Sequence, residues 1–359
     1  MRPDERIRRA TIHDVARAAG VSAATVSKVL RGVTTVRSDN ADRVHRAVVD
    51  LDYRIDPVAS GLRGEQRRII GAVVPDLESP FFGKLVTELE SLAEGAGYHM
   101  ILASSRESEE RETDLVARMN DWRVAGCILV PVRSERGSGA TRLNDLGMKA
   151  VLVDRVSADE RFDTVAADNF SAAASVADLL IGEGHRHILL HGATQISKAV
   201  RTRLDGFEER ARALDPTVTL DHLLSDEPLQ TQRDAVRVYL EERQGDHRPT
   251  AVFSLSQHST LLVLSEIRRL GLRIPEDISL VGFDDADWMQ TTWPSITAVA
   301  QPVEAIAACT MRALLARVEG ESTGFPVQNL EPCSLLIRQS AGQSNEEPPH
   351  QSQRSSGSP

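Results

Sequence analysis

The sequence predicts a small all-α head followed by a larger α/β body, which has two lobes with parallel sheets. Residues 11–30 place apolar side chains at three- and four-residue steps around a glycine, which is typical of two short helices. From residue 69 onward, short apolar runs alternate with helical stretches, as in parallel α/β sheets. The length of 359 residues suits two or three domains.

The first predicted elements are two helices within TIHDVARAAGVSAATVSKVL, Thr11 to Leu30. Thr11 lies three residues before Asp14, a spacing that resembles a capping box, and Asp14 favours the positive helix N-terminus. Gly20 supplies the permissive backbone that ends the first helix, and Ser22 is a natural N-cap for the second. This pattern predicts a helix-turn-helix, and an ordinary αα-hairpin is the alternative on spacing alone.

The outward face of the second helix is small, polar and cationic. Such a face fits the major groove of DNA, where the helix reads base edges and its hydroxyls meet phosphates. A third amphipathic helix is predicted from Ser38 to Leu51, so residues 1–55 form a head with a minimal core. The predicted outward residues of the second helix are Ala23, Ala24, Thr25, Ser27 and Lys28.

Residues 56–68 are predicted to form a hinge helix and a polar linker. Asp56 can cap this helix and Pro57 suits its first position, whereas Gly61 weakens it. A helix this short is not stable by itself in water. The pattern therefore predicts a hinge that is helical only under some conditions. The body then spans residues 69–342, and the Ser/Gln/Pro-rich tail at 343–359 is expected to be disordered.

The charge of the chain is distributed unevenly. The net charge is −10, yet residues 1–64 hold 12 Lys/Arg against 8 Asp/Glu, and the remainder holds 30 against 44. A basic head concentrates attraction to phosphate, while an acidic body repels DNA and limits non-specific binding. The distribution therefore favours a nucleic-acid partner for the head.

The body is predicted to contain two series of βα units. Buried parallel strands are expected to begin at Ile69, His99, Gly126, Ala150, Ile188, Ala251 and Ile278. Two such series predict two doubly wound lobes with a ligand cleft at the carboxyl ends of their strands.

The sequence favours a reducing cytoplasm as the compartment. Its three cysteines, Cys127, Cys309 and Cys333, are widely separated and give neither a disulfide framework nor a metal-ligand spacing. The charged N-terminus lacks the apolar core of a secretory signal, and no apolar run approaches the roughly 20 residues that a bilayer needs. We therefore expect no membrane partner.

Motifs across all three head helices and the hinge carry a family resemblance. They are Asp14-Val15-Ala16, Ala19-Gly20-Val21-Ser22, Thr25-Val26-Ser27, Tyr53, and Val58-Ala59 with Leu62. This pattern resembles the DNA-binding head of the lactose-repressor (LacI/GalR) family of bacterial transcription regulators. The resemblance implies that Ala23, Ala24 and Lys28 read bases, and that Leu62 wedges into a central minor-groove step and kinks the operator.

The sequence departs from the family pattern at Lys28, at Arg31 and at Gly61, where the family usually has arginine, asparagine and a stiffer hinge. Because lysine binds guanine less rigidly than arginine, the operator sequence is left open. Ala23, Ala24 and Lys28 give few base contacts, so operator specificity is expected to depend on Leu62 and on DNA deformability. The residues predicted to contact DNA are Thr11, Ser22, Ala23, Ala24, Thr25, Ser27, Lys28, Arg31 and Leu62.

The body is similar to the family's periplasmic-binding-protein-like core as far as about Gly342. Aromatic rings can cover the C–H face of a sugar, and carboxylate, guanidinium and amide groups can hydrogen-bond its hydroxyls. Taken singly, each residue has a simpler interpretation as a helix cap or a core side chain. The residues that the resemblance implies for effector binding are Asp76, Phe81, Phe82, Asp154, Arg155, Arg201, Ser256, Asp284 and Gln301, and Asp168-Asn169 match a family pair.

The effector itself is left open by the sequence. Ser256-Gln257-His258 stands where the family usually has Asn-Asp, so a hydroxyl replaces a two-pronged amide. A typical hexose is therefore not assumed, and the expected class is a sugar, a nucleoside or a polyol. A regulator without a small ligand is a further alternative.

The sequence offers no chemistry for an enzyme. His185, His187 and His191 invite a zinc interpretation, but no cysteine or acidic ligand accompanies them at metal spacing. Gly182-Glu183-Gly184 lacks the third glycine of a dinucleotide motif, and no phosphate loop or nucleophile elbow occurs. We therefore expect no metal, no cofactor and no catalytic residue.

These observations together predict a sequence-specific, DNA-binding transcription regulator. We expect a repressor that binds a palindromic operator as a homodimer, or as a tetramer, and whose operator affinity responds to the effector. A corepressor-dependent repressor and an activator are alternatives within the family. A solute-binding protein for transport and a sugar-modifying α/β enzyme are the alternatives of other classes.

Overall fold

The computed structural model describes residues 10–30, 33, 35–53, 68–193, 197–243, 248–322 and 324–343. The chain divides into two compact units, Met1–Arg67 and Arg68–Pro359. Leu62, Arg31 and nearly all of the predicted hinge lie outside the described residues, as does the tail from 344. Within the described residues, no helix is both long and apolar enough to span a membrane.

The head contains the three predicted helices. The Thr11 hydroxyl accepts a hydrogen bond from the backbone of Asp14, whose carboxylate accepts one from the Thr11 backbone, so the capping box is confirmed. Gly20 ends the first helix with a φ of 62°, in the left-handed region that glycine adopts without strain. The helices are α1 (Ile12–Ala19), α2 (Ala23–Leu30) and α3 (Ser38–Asp50).

The core of the head is small and consists of short aliphatic side chains. Val15, Val26 and Val44, one from each helix, are fully buried and hold the three helices together. Val21 packs against this cluster from the turn between α1 and α2. Leu51, the last residue of the predicted third helix, instead follows α3 as its C-cap and is 37% exposed.

The first lobe is a parallel sheet with helices on both faces. Its strands within the described residues lie in the order β11-β5-β4-β3-β1-β2. They are β1 (Ile69–Val74), β2 (His99–Ser104), β3 (Gly126–Leu129), β4 (Ala150–Val153), β5 (Asp163–Ala167) and β11 (Gln328–Glu331). Helices α4 (Pro80–Gly95) and α12 (Val303–Glu319) cover one face, and α5 (Glu109–Asp121) and α6 (Ser138–Asp145) cover the other.

The second lobe repeats this plan. Its sheet has the order β12-β10-β9-β8-β6-β7, and only the short strand β12 runs antiparallel to its neighbour. The strands are β6 (His187–Gly192), β7 (Thr219–Leu224), β8 (Ala251–Ser254), β9 (Ser279–Phe283), β10 (Thr297–Ala300) and β12 (Ser334–Leu336). The helices are α7 (Asn169–Gly182), α8 (Lys198–Leu214), α9 (Leu229–Glu242), α10 (Gln257–Arg269) and the short α11 (Asp287–Thr291).

Both sheets share the strand order 2-1-3-4-5, counted from the first strand of each lobe. In open α/β sheets of this order, ligands bind outside the carboxyl ends of the strands, where the strand order reverses. The described chain passes between the two sheets three times, after β5, after β10 and after β11. The lobes are therefore joined by three connecting segments, which can act as a hinge.

Candidate functional site

The outward face of α2, which is predicted to read bases and is called the recognition face below, is positioned by the N-cap of the helix. The Ser22 hydroxyl accepts a hydrogen bond from the backbone of Thr25 at 3.1 Å, which fixes the start of the helix. Val26 and Val29 turn into the head core, so the opposite side of α2 faces outward. Ala24 and Lys28 are exposed on that side.

The other DNA-contacting residues predicted in the head have additional local contacts. Ala23 is only half-exposed and packs against the head core, so less of it is available to a base than expected. The Thr11 hydroxyl is exposed and lies 2.7 Å from the Asp14 carboxylate, within the capping box. Ser27 is half-exposed. Arg31 and Leu62 lie outside the described residues, so their roles remain predictions.

The body contains a cleft of about 310 Å³ between the carboxyl ends of the two sets of strands. Asp76 and Asp154 enter it from the first lobe, and Asp284 and Gln301 enter it from the second. The volume is at the lower end of the range for small-molecule sites, about 300–1,000 Å³. The cleft is therefore suited to a compact ligand that touches both lobes.

Eight of the nine residues predicted to bind an effector line this cleft, which brings them together from five separate strand ends. The residues are Asp76, Phe81, Phe82, Asp154, Arg155, Ser256, Asp284 and Gln301. The rule that ligands collect at strand ends accounts for most of this grouping.

Two aspartates occupy equivalent positions in the two lobes. Asp154 directly follows β4 with a φ of 68°, and Asp284 directly follows β9 with a φ of 67°. Non-glycine residues rarely adopt this left-handed conformation, although aspartate tolerates it better than most, and it is frequent at binding sites. Each strand end therefore turns its carboxylate towards the cleft.

Arg203 is the buried cation of the second lobe, and it replaces the predicted Arg201 in the cleft. Arg203 is 4% exposed, whereas Arg201 is exposed to solvent and does not line the cleft. Two residues along an α-helix are about 200° apart around its axis, so these two side chains leave α8 on opposite faces. The prediction of Arg201 as a cleft residue was wrong by this half-turn.

Arg203 is held by contacts on several sides. Its Nε donates to the Asn169 side-chain oxygen at 2.7 Å, and its Nη1 donates to the Leu255 carbonyl at 2.7 Å. The guanidinium lies over the Phe283 ring, 3.6 Å from the ring centre, and 3.6 Å from the Asp284 carboxylate. Asn169, from the matched Asp168-Asn169 pair, thus positions Arg203.

Arg155 is the arginine that the first lobe contributes to the cleft. Its guanidinium donates to both carboxylate oxygens of Glu107, at 2.7 and 2.8 Å, and to the Val132 carbonyl at 2.9 Å. It also lies 5.6 Å from the centre of the Phe82 ring. Glu107 follows β2 and lines the cleft, but no sequence motif singled it out. The bidentate pair neutralises Arg155 before any ligand arrives.

Several cleft residues also have structural roles. The Asp76 carboxylate accepts hydrogen bonds from the backbone of Glu78 and Ser79, at 2.8 and 3.1 Å, and orders the loop before α4. Ser256 is the N-cap of α10 and accepts from the Ser259 backbone at 3.2 Å. Phe82 belongs to the core of the first lobe. These residues therefore combine a cap or core role with exposure to the cleft.

The three clustered histidines do not meet at a metal site. The two ring nitrogens of His185 lie 2.9 Å from the Thr250 hydroxyl and 2.9 Å from the Gly342 carbonyl, and His187 pairs with Asp221. Burial lowers the pKa of His191 to about 4, so its ring is neutral. Among the residues that the structure describes, no group of histidine, cysteine and acidic side chains could hold a metal ion.

Comparison with known proteins identifies both units. Residues 11–56 match the family described as bacterial regulatory proteins, lacI family, and residues 177–341 match the periplasmic binding protein-like domain. The chain is 32% identical to the HTH-type transcriptional regulator PtxS of Pseudomonas aeruginosa over 335 residues, which cover 92% of this chain and 95% of that protein. The chain belongs to the lacI family of bacterial regulatory proteins.

Further relatives of this lacI-family chain span nearly its whole length. It is 28% identical to the HTH-type transcriptional repressor CytR of Escherichia coli K12, over 92% of this chain and 95% of that protein. Its fold is similar to that of the lac repressor dimer bound to operator and the anti-inducer ONPF, with a TM-score of 0.82, 24% identity, and coverage of 93% of this chain and 100% of that one. This lacI-family chain is a DNA-binding transcriptional regulator with a periplasmic-binding-like body.

Proposed function

We propose that this lacI-family regulator is a cytoplasmic repressor, not an enzyme, that binds a palindromic operator as a homodimer. In this proposal, a small effector of the sugar, nucleoside or polyol class binds in the cleft and changes the operator affinity. The observation that carries the proposal is that the cleft takes polar groups from both lobes, with Asp154 on one side and Arg203, Asp284 and Gln301 on the other.

A ligand that bridges the two lobes has a differential affinity for their arrangements. Three connecting segments join the lobes, so a small rotation about them changes the separation of Asp154 from the groups of the second lobe. The arrangement that binds the ligand better becomes more populated. In a dimer with one head on each body, this shift changes the affinity of the two heads for the two operator half-sites. Relatives described as transcriptional regulators and repressors support this over a transport or enzyme function.

The DNA-binding part of the proposal is tested by selecting duplexes from a random library with the full-length protein. We expect an enriched palindrome, because two identical heads related by a twofold axis read two identical half-sites. Enrichment of a single asymmetric half-site, or of no motif, would contradict the proposal that a homodimer binds a palindromic operator.

The selected duplex then tests the recognition face. Lys28→Ala should weaken binding about 10- to 100-fold and relax the sequence preference, because a base-reading cation on α2 is lost. Arg46→Ala is the matched control, since it removes one exposed positive charge from α3 of the same head. Fluorescence anisotropy with specific and scrambled duplexes separates the two effects: equal losses for both variants on both duplexes would mean that Lys28 contributes only net charge.

A further inference from the structure

A hydrogen bond joins the two lobes at the loop between β3 and α6, residues 130–137, which is called the latch loop below. The Arg133 carbonyl of this loop accepts from the Lys198 backbone at 3.3 Å. Lys198 is the first residue of α8, and the Ser197 side chain before it makes no capping hydrogen bond. The first N–H groups of a helix have no partner within the helix. The first lobe therefore caps the helix that carries Arg203 into the cleft.

The Glu112 carboxylate of α5 holds the latch loop by its backbone. One oxygen accepts from the Val132 amide at 2.6 Å, and the other accepts from the Gly139 amide at 3.1 Å. A Cβ atom at Gly139 would lie 2.1 Å from the Glu112 Oε1, so only glycine lets the carboxylate approach the backbone here. The carboxylate therefore fixes the chain on both sides of Arg133.

Two further contacts hold the latch loop to the first lobe. The Arg133 side chain pairs with Glu109 of α5, and Arg155 donates to the Val132 carbonyl at 2.9 Å. Arg155 lines the cleft, whereas Glu112 does not. The latch loop thus connects a buried carboxylate outside the cleft to groups at the cleft and in the second lobe.

Glu112 is a buried acid that changes its charge near neutral pH. Its side chain is fully buried, and this burial raises the pKa of the carboxyl to about 7, against the effect of the two backbone hydrogen bonds. The nearby charge of Glu109 raises this pKa further, and that of Arg155 lowers it. On β3, burial raises the pKa of the Cys127 thiol to about 12, so that group stays neutral. An acid buried in this way is more typical of a functional position than of core packing.

Protonation of Glu112 would break its double contact with the backbone. An ionised carboxylate accepts at both oxygens, whereas a protonated carboxyl carries a hydrogen on one oxygen and accepts less well there. We propose that Glu112 is a positioning residue: its ionised carboxylate holds the latch loop so that the Arg133 carbonyl caps α8, and its protonation releases this link between the lobes. The consequence for operator affinity rests on the proposed function, in which the arrangement of the lobes controls the heads.

Release of this link is distinct from acid unfolding. Between the ordinary pKa of 4.5 and the raised value of about 7, the folded chain binds a proton at Glu112 that the unfolded chain does not bind. The contribution of Glu112 to stability therefore rises as the pH falls through this window. Loss of the contact with α8 and gain of stability at this residue are expected together.

Hydrogen exchange at the Lys198 amide measures the link without DNA or effector. The full-length protein is examined by mass spectrometry, with fragmentation that isolates this amide, at about pH 8 and about pH 6. Each rate is divided by that of an unfolded peptide of the same sequence at the same pH. The ionised fraction of Glu112 falls from about 0.9 to about 0.1 between these conditions, because one pH unit is a factor of ten. Protection of Lys198 should fall at least about threefold, while Leu204 and Phe207, buried further along α8, keep theirs.

Glu112→Gln assigns the pH dependence to this carboxyl. The glutamine amide keeps one acceptor oxygen but turns an N–H donor towards a backbone N–H, so it resembles the protonated state at every pH. The variant should show the low Lys198 protection under both conditions, and its melting temperature checks that the fold is retained. Glu110→Gln is the matched control, because it removes the same charge from the exposed side of α5. It should behave like the original chain.

Three outcomes would overturn the proposal. These are Lys198 protection that does not depend on pH in the original chain, equal protection in Glu112→Gln and the original chain at about pH 8, and a loss in Glu112→Gln that extends along the whole of α8. The last outcome would mean that the lobe unfolds rather than releases one contact. Failure of the proposed function is distinguishable, because it is read from operator selection.

Discussion

At the scale of single residues, the cleft is organised by which groups are already satisfied. Arg203 is fixed by Asn169, by the Leu255 carbonyl and by the Phe283 ring, so its remaining N–H groups have a defined direction. A guanidinium held in this way loses little further entropy when it donates to a ligand. We therefore expect effector affinity to be more sensitive to substitution of Arg203 than to substitution of the other cleft arginine.

Substitution of Arg203 by lysine should weaken effector binding at least about 10-fold, because lysine keeps the charge near Asp284 but loses the planar fork and the ring contact. The effector used is whichever sugar, nucleoside or polyol raises the melting temperature of the unsubstituted protein. Calorimetry measures the loss, and the melting temperature without ligand shows whether the fold is retained.

Arg201→Lys is the control for this variant, since Arg201 is exposed on the opposite face of the same helix. It should leave the effector affinity within about twofold, as surface substitutions usually do. A normal response in Arg203→Lys together with a lost response in Arg201→Lys would restore the original sequence-based assignment.

The sequence could predict the strand-end residues because their positions follow from chain order. Asp154 and Asp284 come directly after apolar runs, and parallel strands bring their carboxyl ends to one edge. Prediction of Arg203 required the position of each residue around the helix axis instead. Val200, Leu204 and Phe207 mark the buried face of α8, and Arg203 lies within that stripe while Arg201 does not. The contacts that hold Arg203, with Asn169, the Leu255 carbonyl and the Phe283 ring, join residues that are distant in sequence, and periodicity does not reveal them.

At the scale of elements, the contact of α7 with α8 sets the geometry of the cleft. A Cβ atom at Gly206 of α8 would lie 2.3 Å from the Phe170 carbonyl oxygen of α7, so only glycine allows this approach. Phe170 is next to Asn169, which holds Arg203 on the facing helix. The same close packing therefore stabilises the second lobe and positions its cleft cation.

Gly206→Ala should lower the free energy of unfolding by about 1–3 kcal/mol, because the added methyl group forces the two helices apart. It should also weaken effector binding, since Asn169 and Arg203 would separate. Gly83→Ala in α4 is the control: a Cβ there meets no described atom within 4 Å. Alanine should stabilise that helix by up to about 1 kcal/mol. Urea unfolding measures both, and equal effects would contradict the packing argument.

Strand prediction from the sequence succeeded where a strand contains a continuous apolar run. The buried strands β1, β3 and β4 form continuous apolar runs and begin at the residues that the sequence predicted. The edge strands β7 and β11, which polar residues such as Asp221 and Asn329 interrupt, were missed, and so were the interior strands β5 and β10 and the short strand β12. A half-exposed edge strand need not be apolar, so its pairing partner, which lies far away in sequence, decides its conformation.

At the scale of the whole molecule, the head and the body carry net charges of opposite sign. Residues 1–64 carry a net charge of +4 and the remaining residues carry −14. The attraction to phosphate is thus confined to the unit that contains α2, and the acidic body opposes binding that lacks sequence-specific contacts. Specificity then depends on the body as well as on the residues that face bases.

Reversal of acidic charge on the body should weaken this discrimination. Glu110, Asp114 and Asp121 are exposed on α5 and do not line the cleft, so their replacement by lysine changes the charge without touching either site. We expect affinity for a scrambled duplex to rise several-fold near 0.01 M salt, where charges act over about 30 Å, and to return to normal near 1 M salt, where they act over about 3 Å.

The matching amide variant, with glutamine or asparagine at the same three positions, removes the charge without reversing it. It should raise the affinity for scrambled DNA by a smaller factor at low salt, because electrostatic attraction follows the total charge that the polyanion meets. Affinity for the selected operator should rise less steeply than affinity for scrambled DNA, since base contacts are unaffected. If both variants bind scrambled DNA as weakly as the original chain at low salt, the acidic body does not limit non-specific binding, and discrimination arises within the head alone.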